Sequence, residues 1–217
     1  MFVVEKKPKS IAAEAYRTLR TNIQYSSFDK EYRTIVITSS EPGEGKTVTA
    51  GNLSLALAQG ESKVLLVDGD MRKPTVHKSF RISNESGLTD LLLHKKTMEQ
   101  VMVKYNQNLT IVAAGRVSPN PSEMLASRAM TIFLEEMKQH FDYIVMDTPP
   151  LGAVTDAQIL STKVDGTILV VKAGSTKKEV VMNSVNLIKK VNGNIIGTVL
   201  NGIEHSKNKY YYYYGNE

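Results

Sequence analysis

Short, β-branched apolar runs recur along the chain at 34–38, 63–67, 109–113, 142–146, 167–171 and 195–200. They are nearly continuous, the pattern of strands buried on both sheet faces. Between them the apolar spacing predicts helices over 46–59, 129–139 and 177–191, with shorter ones near 89–94 and 97–104. Strands alternating with helices predict βαβ units and a mostly parallel α/β sheet flanked by helices. The stretch 115–123 contains Pro119 and Pro121 and is expected to be a loop. Outside this core lies an N-terminal helix over 10–26. Ile11, Ala15, Leu19 and Ile23 form one stripe of it, and Glu14, Arg17 and Arg20, three residues apart, form a charged stripe. At the other end a polar tail closes on Tyr210, Tyr211, Tyr212, Tyr213 and Tyr214. The expected division is a helical segment (1–28), an α/β core (29–203) and a flexible tail (204–217).

Composition narrows this picture little. With 217 residues, 41% hydrophobic and 23% charged, the chain suits one substantial core. The absence of cysteine excludes disulfides and thiolate metal sites. No apolar run approaches the roughly 18 residues needed to cross a bilayer, and the first residues lack a signal-peptide pattern. A membrane role is therefore expected to come through a partner. The net charge of +5 has no long basic run behind it, and nucleic acid is not expected as a partner.

The chemistry begins after the first strand. Ser40-Glu41-Pro42-Gly43-Glu44-Gly45-Lys46-Thr47 fits the phosphate-binding pattern G-x-x-x-x-G-K-[ST], with Ser40 replacing the first glycine. Gly43 and Gly45 can adopt left-handed angles, which leaves backbone amides open to phosphate oxygens. The next helix adds its free N–H groups at Lys46, Thr47 and Val48. In this reading Gly43, Glu44, Gly45, Lys46, Thr47 and Val48 bind nucleotide, Lys46 bridges the β- and γ-phosphates, and Thr47 ligates Mg²⁺. Asp147 ends the strand 142–146, where a P-loop fold needs a Mg²⁺-organising carboxylate. Asp68 and Asp70 follow the strand 63–67, and alternation puts them on one side of an extended segment. Two adjacent carboxylates raise each other's pKa unless a cation relieves them; Mg²⁺, Lys46 or Arg72 is expected to do so. Asn201 follows the last strand, where such sheets contact the base.

The set Pro42–Thr47, Val67-Asp68-Gly69-Asp70-Met71-Arg72-Lys73-Pro74 and Val145-Met146-Asp147-Thr148-Pro149-Pro150 resembles the bacterial tyrosine kinase family, as its Walker A, A′ and B motifs. Glu14, Arg17 and Arg20 match that family's E-x-x-R-x-x-R motif, and Tyr210–Tyr214 its C-terminal tyrosine cluster. Residues 119–123 and 156–158 look similar as well. The resemblance implies a MinD/ParA-like P-loop fold and ATP- and Mg²⁺-dependent phosphorylation of tyrosine. It implies Asp68 as proton acceptor, Asp70 near the metal and the five tyrosines as acceptors in trans. It also implies a homo-oligomeric ring made through Glu14, Arg17 and Arg20, and a role in capsular or exopolysaccharide synthesis and export. The implied partners are a transmembrane activator of the polysaccharide co-polymerase type and a tyrosine phosphatase. The implied location is cytoplasmic, at the inner face of the plasma membrane. The alternative is a MinD/ParA-like ATPase switch without kinase activity. Members of that group usually carry lysine at the second P-loop position, where this chain has Glu41.

Overall fold

The computed structural model describes residues 2–25 and 31–203. Seven strands form one sheet: β1 (Thr34–Ser39), β2 (Val64–Asp68), β3 (Met102–Lys104), β4 (Leu109–Val112), β5 (Tyr143–Asp147), β6 (Gly166–Lys172) and β7 (Ile195–Asn201). Their spatial order is β3-β4-β2-β5-β1-β6-β7, and every pairing is parallel except β3 with β4. The six expected strands are present within a residue or two. The seventh corrects the helix expected over 97–104: α6 (Met98–Val101) stops after one turn, and Met102–Lys104 runs antiparallel along β4. A hairpin turn, with Asn106 Oδ1 accepting from Leu109 N at 2.8 Å, makes that return possible.

The strands bury both faces by period-two alternation. Ile35, Ile37, Val64, Leu66 and Val145 point into one cluster with α3 (Lys46–Gln59), while Val36, Leu65, Val67, Ile144 and Met146 point into another with α8 (Arg128–His140). Helix α10 (Lys178–Lys190) covers the β6 side through Ile188. The loop expected over 115–123 gives way at its end to α7 (Pro121–Ala126). Pro121 starts that helix because the first helical residue needs no N–H partner. The pattern also left unpredicted α1 (Val3–Lys6), α4 (Val76–Phe80) and α9 (Asp156–Ser161), each too short to show a period; α5 (Leu88–Leu92) falls where a short helix was expected.

Helix α3 is buried on all sides from Thr49 to Ala58, because a third layer covers it. That layer is α1 and α2 (Ile11–Tyr25). The Phe2 ring packs on Gly51, where a Cβ would meet it at 2.1 Å, and stacks on Phe80 with centroids 4.3 Å apart. Val4 N donates to Asn52 Oδ1 at 3.1 Å. The core-facing stripe of α2 differs from expectation: Ala13 and Ile23 are buried and Tyr16 and Leu19 partly so, whereas Ile11 is 42% exposed. Arg20 leaves the charged stripe altogether. Its Nη1 donates to Ala56 O at 2.9 Å, which places a cation at the C-terminal turn of α3. Among the described residues no helix is long and apolar enough to cross a membrane.

Phe2 lies in the core despite its place at the start of the chain. Phe2→Ala is expected to destabilise the fold by ~3 kcal/mol. Urea unfolding measures this, and a loss below about 1 kcal/mol would mean that the N-terminal layer is dispensable.

Candidate active site

The loop between β1 and α3 has little freedom. Gly43 and Gly45 sit at φ of +80° and +96°, where side chains are strained. A Cβ on Gly45 would also lie 2.0 Å from Asn201 Nδ2. Asn201, the last residue of β7, donates from that nitrogen to Glu44 O at 2.9 Å. The buried Glu44 carboxylate accepts from Glu41 N at 2.8 Å and from the Thr176 hydroxyl. Behind the loop, Leu151 N and Gly152 N donate to the carbonyls of Ser39 and Ser40 at 2.8 and 3.1 Å. The loop is thus fixed at its flank and rear, while the first amides of α3 have no acceptor within the helix. Asn201 holds the loop in this structure, a contact the sequence reading did not foresee. Ser40 Oγ is buried without a partner.

Strands β2 and β5 end side by side, with Asp68 opposite Asp147 in register, both fully buried. Asp147 Oδ2 accepts from Thr47 Oγ1 at 2.5 Å, and Thr47 Oγ1 lies 2.9 Å from Thr75 Oγ1. Asp147 Oδ1 is buried and has no partner. Burial pushes the Asp147 pKa up to about 7, with Lys46 and the Thr47 hydrogen bond pulling it back and Asp70 adding to the rise. Burial, then the Asp147 charge, lifts Asp68 well above the usual carboxylate range. Asp68 Oδ1 accepts from Asp70 N at 3.1 Å. Its Oδ2 accepts from Thr75 N and Val76 N at 3.1 and 3.0 Å. Asp70 Oδ1 accepts from Arg72 N and Lys73 N at 3.2 and 2.9 Å. The structure therefore brings together Lys46, Thr47, Asp68, Asp70 and Asp147. At the Thr47–Asp147 contact a hydroxyl and a carboxylate oxygen meet beside one orphaned buried oxygen, hard donors of the kind a divalent cation takes. Val48, 47% exposed, lies on the open side of the α3 N-terminus.

Arg72 does not chiefly neutralise the Asp68–Asp70 pair. Its Nε and Nη2 each lie 2.9 Å from the Asp156 carboxylate, a bidentate pair with a fully buried acid. Nη2 also donates to Ser122 Oγ at 2.9 Å, and Ser122 Oγ donates to Asp156 Oδ1 at 2.8 Å. This tie explains why 119–123 and 156–158 accompany the motif at 67–74: they anchor the turn that carries Asp70. Periodicity could not find it. An aspartate opening a helix reads as an ordinary first-turn acid.

On α2, Arg17 Nη1 pairs with Glu14 Oε2 at 2.9 Å; the pair is exposed and worth a few tenths of a kcal/mol. The five tyrosines, Tyr210–Tyr214, lie outside the described residues.

A parallel sheet with a glycine-rich loop, a lysine at a helix start and carboxylates at adjacent strand ends defines a P-loop nucleotide-binding protein of MinD/ParA-like fold. The AAA domain family matches residues 32–199. Tyrosine-protein kinase YwqD of Bacillus subtilis (strain 168) is 43% identical over 210 residues, covering 96% of this chain and 89% of that one. The kinase domain of Escherichia coli tyrosine kinase ETK superposes with a TM-score of 0.91 at 33% identity, covering 97% of this chain and 83% of that chain. Septum site-determining protein MinD of Pyrococcus horikoshii OT3, solved with Mg-ADP, is more distant, with a TM-score of 0.66 at 26% identity over 77% of this chain and 69% of that chain. The chain belongs to the bacterial tyrosine-protein kinase family, within the AAA domain family.

The buried carboxylates make a stability prediction. The Asp147 pKa rises from 3.8 to about 7 on folding, so the folded protein retains a proton that the unfolded chain releases. Without a cation, this group's effect is absent below the unfolded pKa, grows as pH rises and is complete above the folded pKa. Cation- and nucleotide-free protein should therefore lose melting temperature between about pH 4 and pH 7. Asp147→Asn should flatten that slope, raise Tm near pH 7.5 and shrink the further rise caused by Mg²⁺ with ADP. Scanning fluorimetry reads all three. An unchanged slope would show that the group is not buried as a pair.

Proposed function

We propose that this chain transfers the γ-phosphoryl group of ATP to its own tyrosine cluster, Tyr210, Tyr211, Tyr212, Tyr213 and Tyr214, on another copy. The observation that carries this reading is the convergence of Lys46, Thr47 and three aspartates at one end of the sheet, in a chain with five consecutive tyrosines. Membership of a tyrosine-protein kinase family supports it. Gly43, Glu44, Gly45, Lys46, Thr47 and Val48 bind the phosphates through backbone amides and the lysine. Asn201 belongs to the site through its hold on the loop. Thr47, Asp147 and Asp70 would hold Mg²⁺, which would supply positive charge to the phosphates when bound. The tyrosine hydroxyl attacks the γ-phosphorus, the bond to the β-phosphate oxygen breaks, and ADP leaves. Asp68 accepts the phenolic proton. Against a phenol near pKa 10 a carboxylate is a weak base, so its work is to orient the hydroxyl and take the proton as the phosphoryl bond forms.

We infer further that 29–203 is the kinase core, 204–217 the substrate tail and 1–28 an oligomerisation segment. The exposed Glu14 and the half-buried Arg17, paired with each other on α2, are placed to meet a neighbour in a ring, while Arg20 is committed to α3 and contributes by fixing the helix. The relatives' names support a tyrosine kinase, and the resemblance supports its being cytoplasmic and recruited to the inner membrane face by a transmembrane activator. A tyrosine phosphatase would reverse the reaction, and capsular or exopolysaccharide synthesis and export would be the process controlled. A switch without kinase activity is the second reading, favoured only by the likeness to MinD.

Intact-mass measurement after incubation with MgATP tests the proposal. Wild type should gain up to five phosphates, and Lys46→Met and the five-fold Tyr→Phe variant none. ATP turnover with no added mass, with the activator present, would move the reading to the switch. Asp68→Asn should slow single-turnover transfer by roughly 10²-fold or more while leaving MgADP affinity within a few-fold. Near-normal transfer would pass the role to Asp70.

A further inference from the structure

A half-open cavity lies away from the phosphate loop, between α1, the end of α4 and the turn after β3. It encloses about 350 Å³ and is lined by Phe2, Phe80 and Tyr105 together with Lys6, Lys78 and Arg81. The two phenylalanine rings are nearly buried and packed on each other at a tilt of 35°, and Tyr105 meets Phe80 edge-on at 5.0 Å. Glu5 is the one carboxylate in the lining, and its Oε2 accepts from Tyr105 Oη at 3.0 Å. Three cations against one occupied acid leave the cavity positive. The half-buried Tyr105 ring beside the exposed Lys6, Lys78 and Arg81 suits a ligand that is an aromatic ring carrying an anion. Helix α4 links this place to the reaction centre: its first amides hold Asp68, and its last residue, Phe80, floors the cavity.

We propose that this cavity binds phosphotyrosine, and that its occupant is the phosphorylated Tyr210–Tyr214 segment of a second copy. The proposal rests on the tail being the phosphoacceptor. The reacting centre is rich in carboxylates, and each phosphate adds about −1.5 to −2 charges to the tail. The product is therefore repelled where it forms and attracted here. Topology points to a second copy. Strand β7 is five strand spacings from β4, roughly 24 Å, and Tyr105 lies at the opposite end of the sheet from Asn201. Tyr210 follows Ile203 by seven residues and Tyr214 by eleven, reaches of at most about 25 and 40 Å in a straight line. The sheet and α3 stand in the direct path.

The test uses full-length Lys46→Met protein, which carries no phosphate of its own, and fluorescent peptides spanning 207–217. A peptide with phosphotyrosine at two positions should bind at least tenfold more tightly than the unmodified peptide. It should also bind more tightly than the same peptide with phosphoserine at those positions, which keeps the charge and loses the ring. Lys78→Ala with Arg81→Ala should weaken binding at least tenfold with an unchanged Tm, both side chains being exposed. Inorganic phosphate should compete only at far higher concentration. Equal affinity for modified and unmodified peptides, or no effect of the double variant, overturns the proposal. So does preference for anionic phospholipid vesicles that the peptide cannot displace. Because the peptides are synthetic, a failed kinase assay and a failed binding assay are separate results.

Discussion

Two carboxylates buried side by side govern this molecule. Parallel pairing of β2 with β5 sets Asp68 against Asp147, and neither reaches water. Like charges in a dry place either take up a proton or require a cation. Lys46 and the amides at Thr75 and Val76 relieve the pair only in part, so both groups remain with raised pKa values. That residual strain sets up the chemistry. A site short of positive charge favours a divalent ion with its nucleotide.

The rest of the fold holds this arrangement in place. The phosphate loop is pinned by Asn201 from β7, by Thr176 ahead of α10 and by the turn after β5. Arg72 is clamped by Asp156 and Ser122, which fixes the turn carrying Asp70. Helix α3, whose first residue is Lys46, is covered by an N-terminal layer, with Phe2 on Gly51 and Arg20 on Ala56. An oligomer built on α2 would therefore press on the helix that begins with Lys46.

The sheet was legible because strands buried on both faces write continuous apolar runs, and the phosphate loop because its glycines and lysine have one geometric reason to occur together. Both Gly43 and Gly45 adopt the left-handed angles that reason demands. What was hidden is tertiary. Residues 97–104 read as one helix because their apolar spacing does not reveal that an edge strand waits alongside. Ile11 reads as core, yet the entry of α1 rotates α2 so that Ala13 and Tyr16 face inward. Arg20 matches the spacing of Glu14 and Arg17, but the open carbonyls ending α3 draw it away. The Arg72–Asp156 pair joins positions 84 apart, beyond any local pattern.

The proposed reaction takes the tyrosine tail of a neighbouring copy as acceptor. The most direct measurement mixes two chains of different mass: Lys46→Met, which keeps its tyrosines, and the five-fold Tyr→Phe variant, which keeps its active site. Incubated together with MgATP, phosphate should accumulate on the Lys46→Met chain alone, with neither chain modified by itself. An unmodified Lys46→Met chain, under conditions where wild type phosphorylates itself, would contradict transfer between copies.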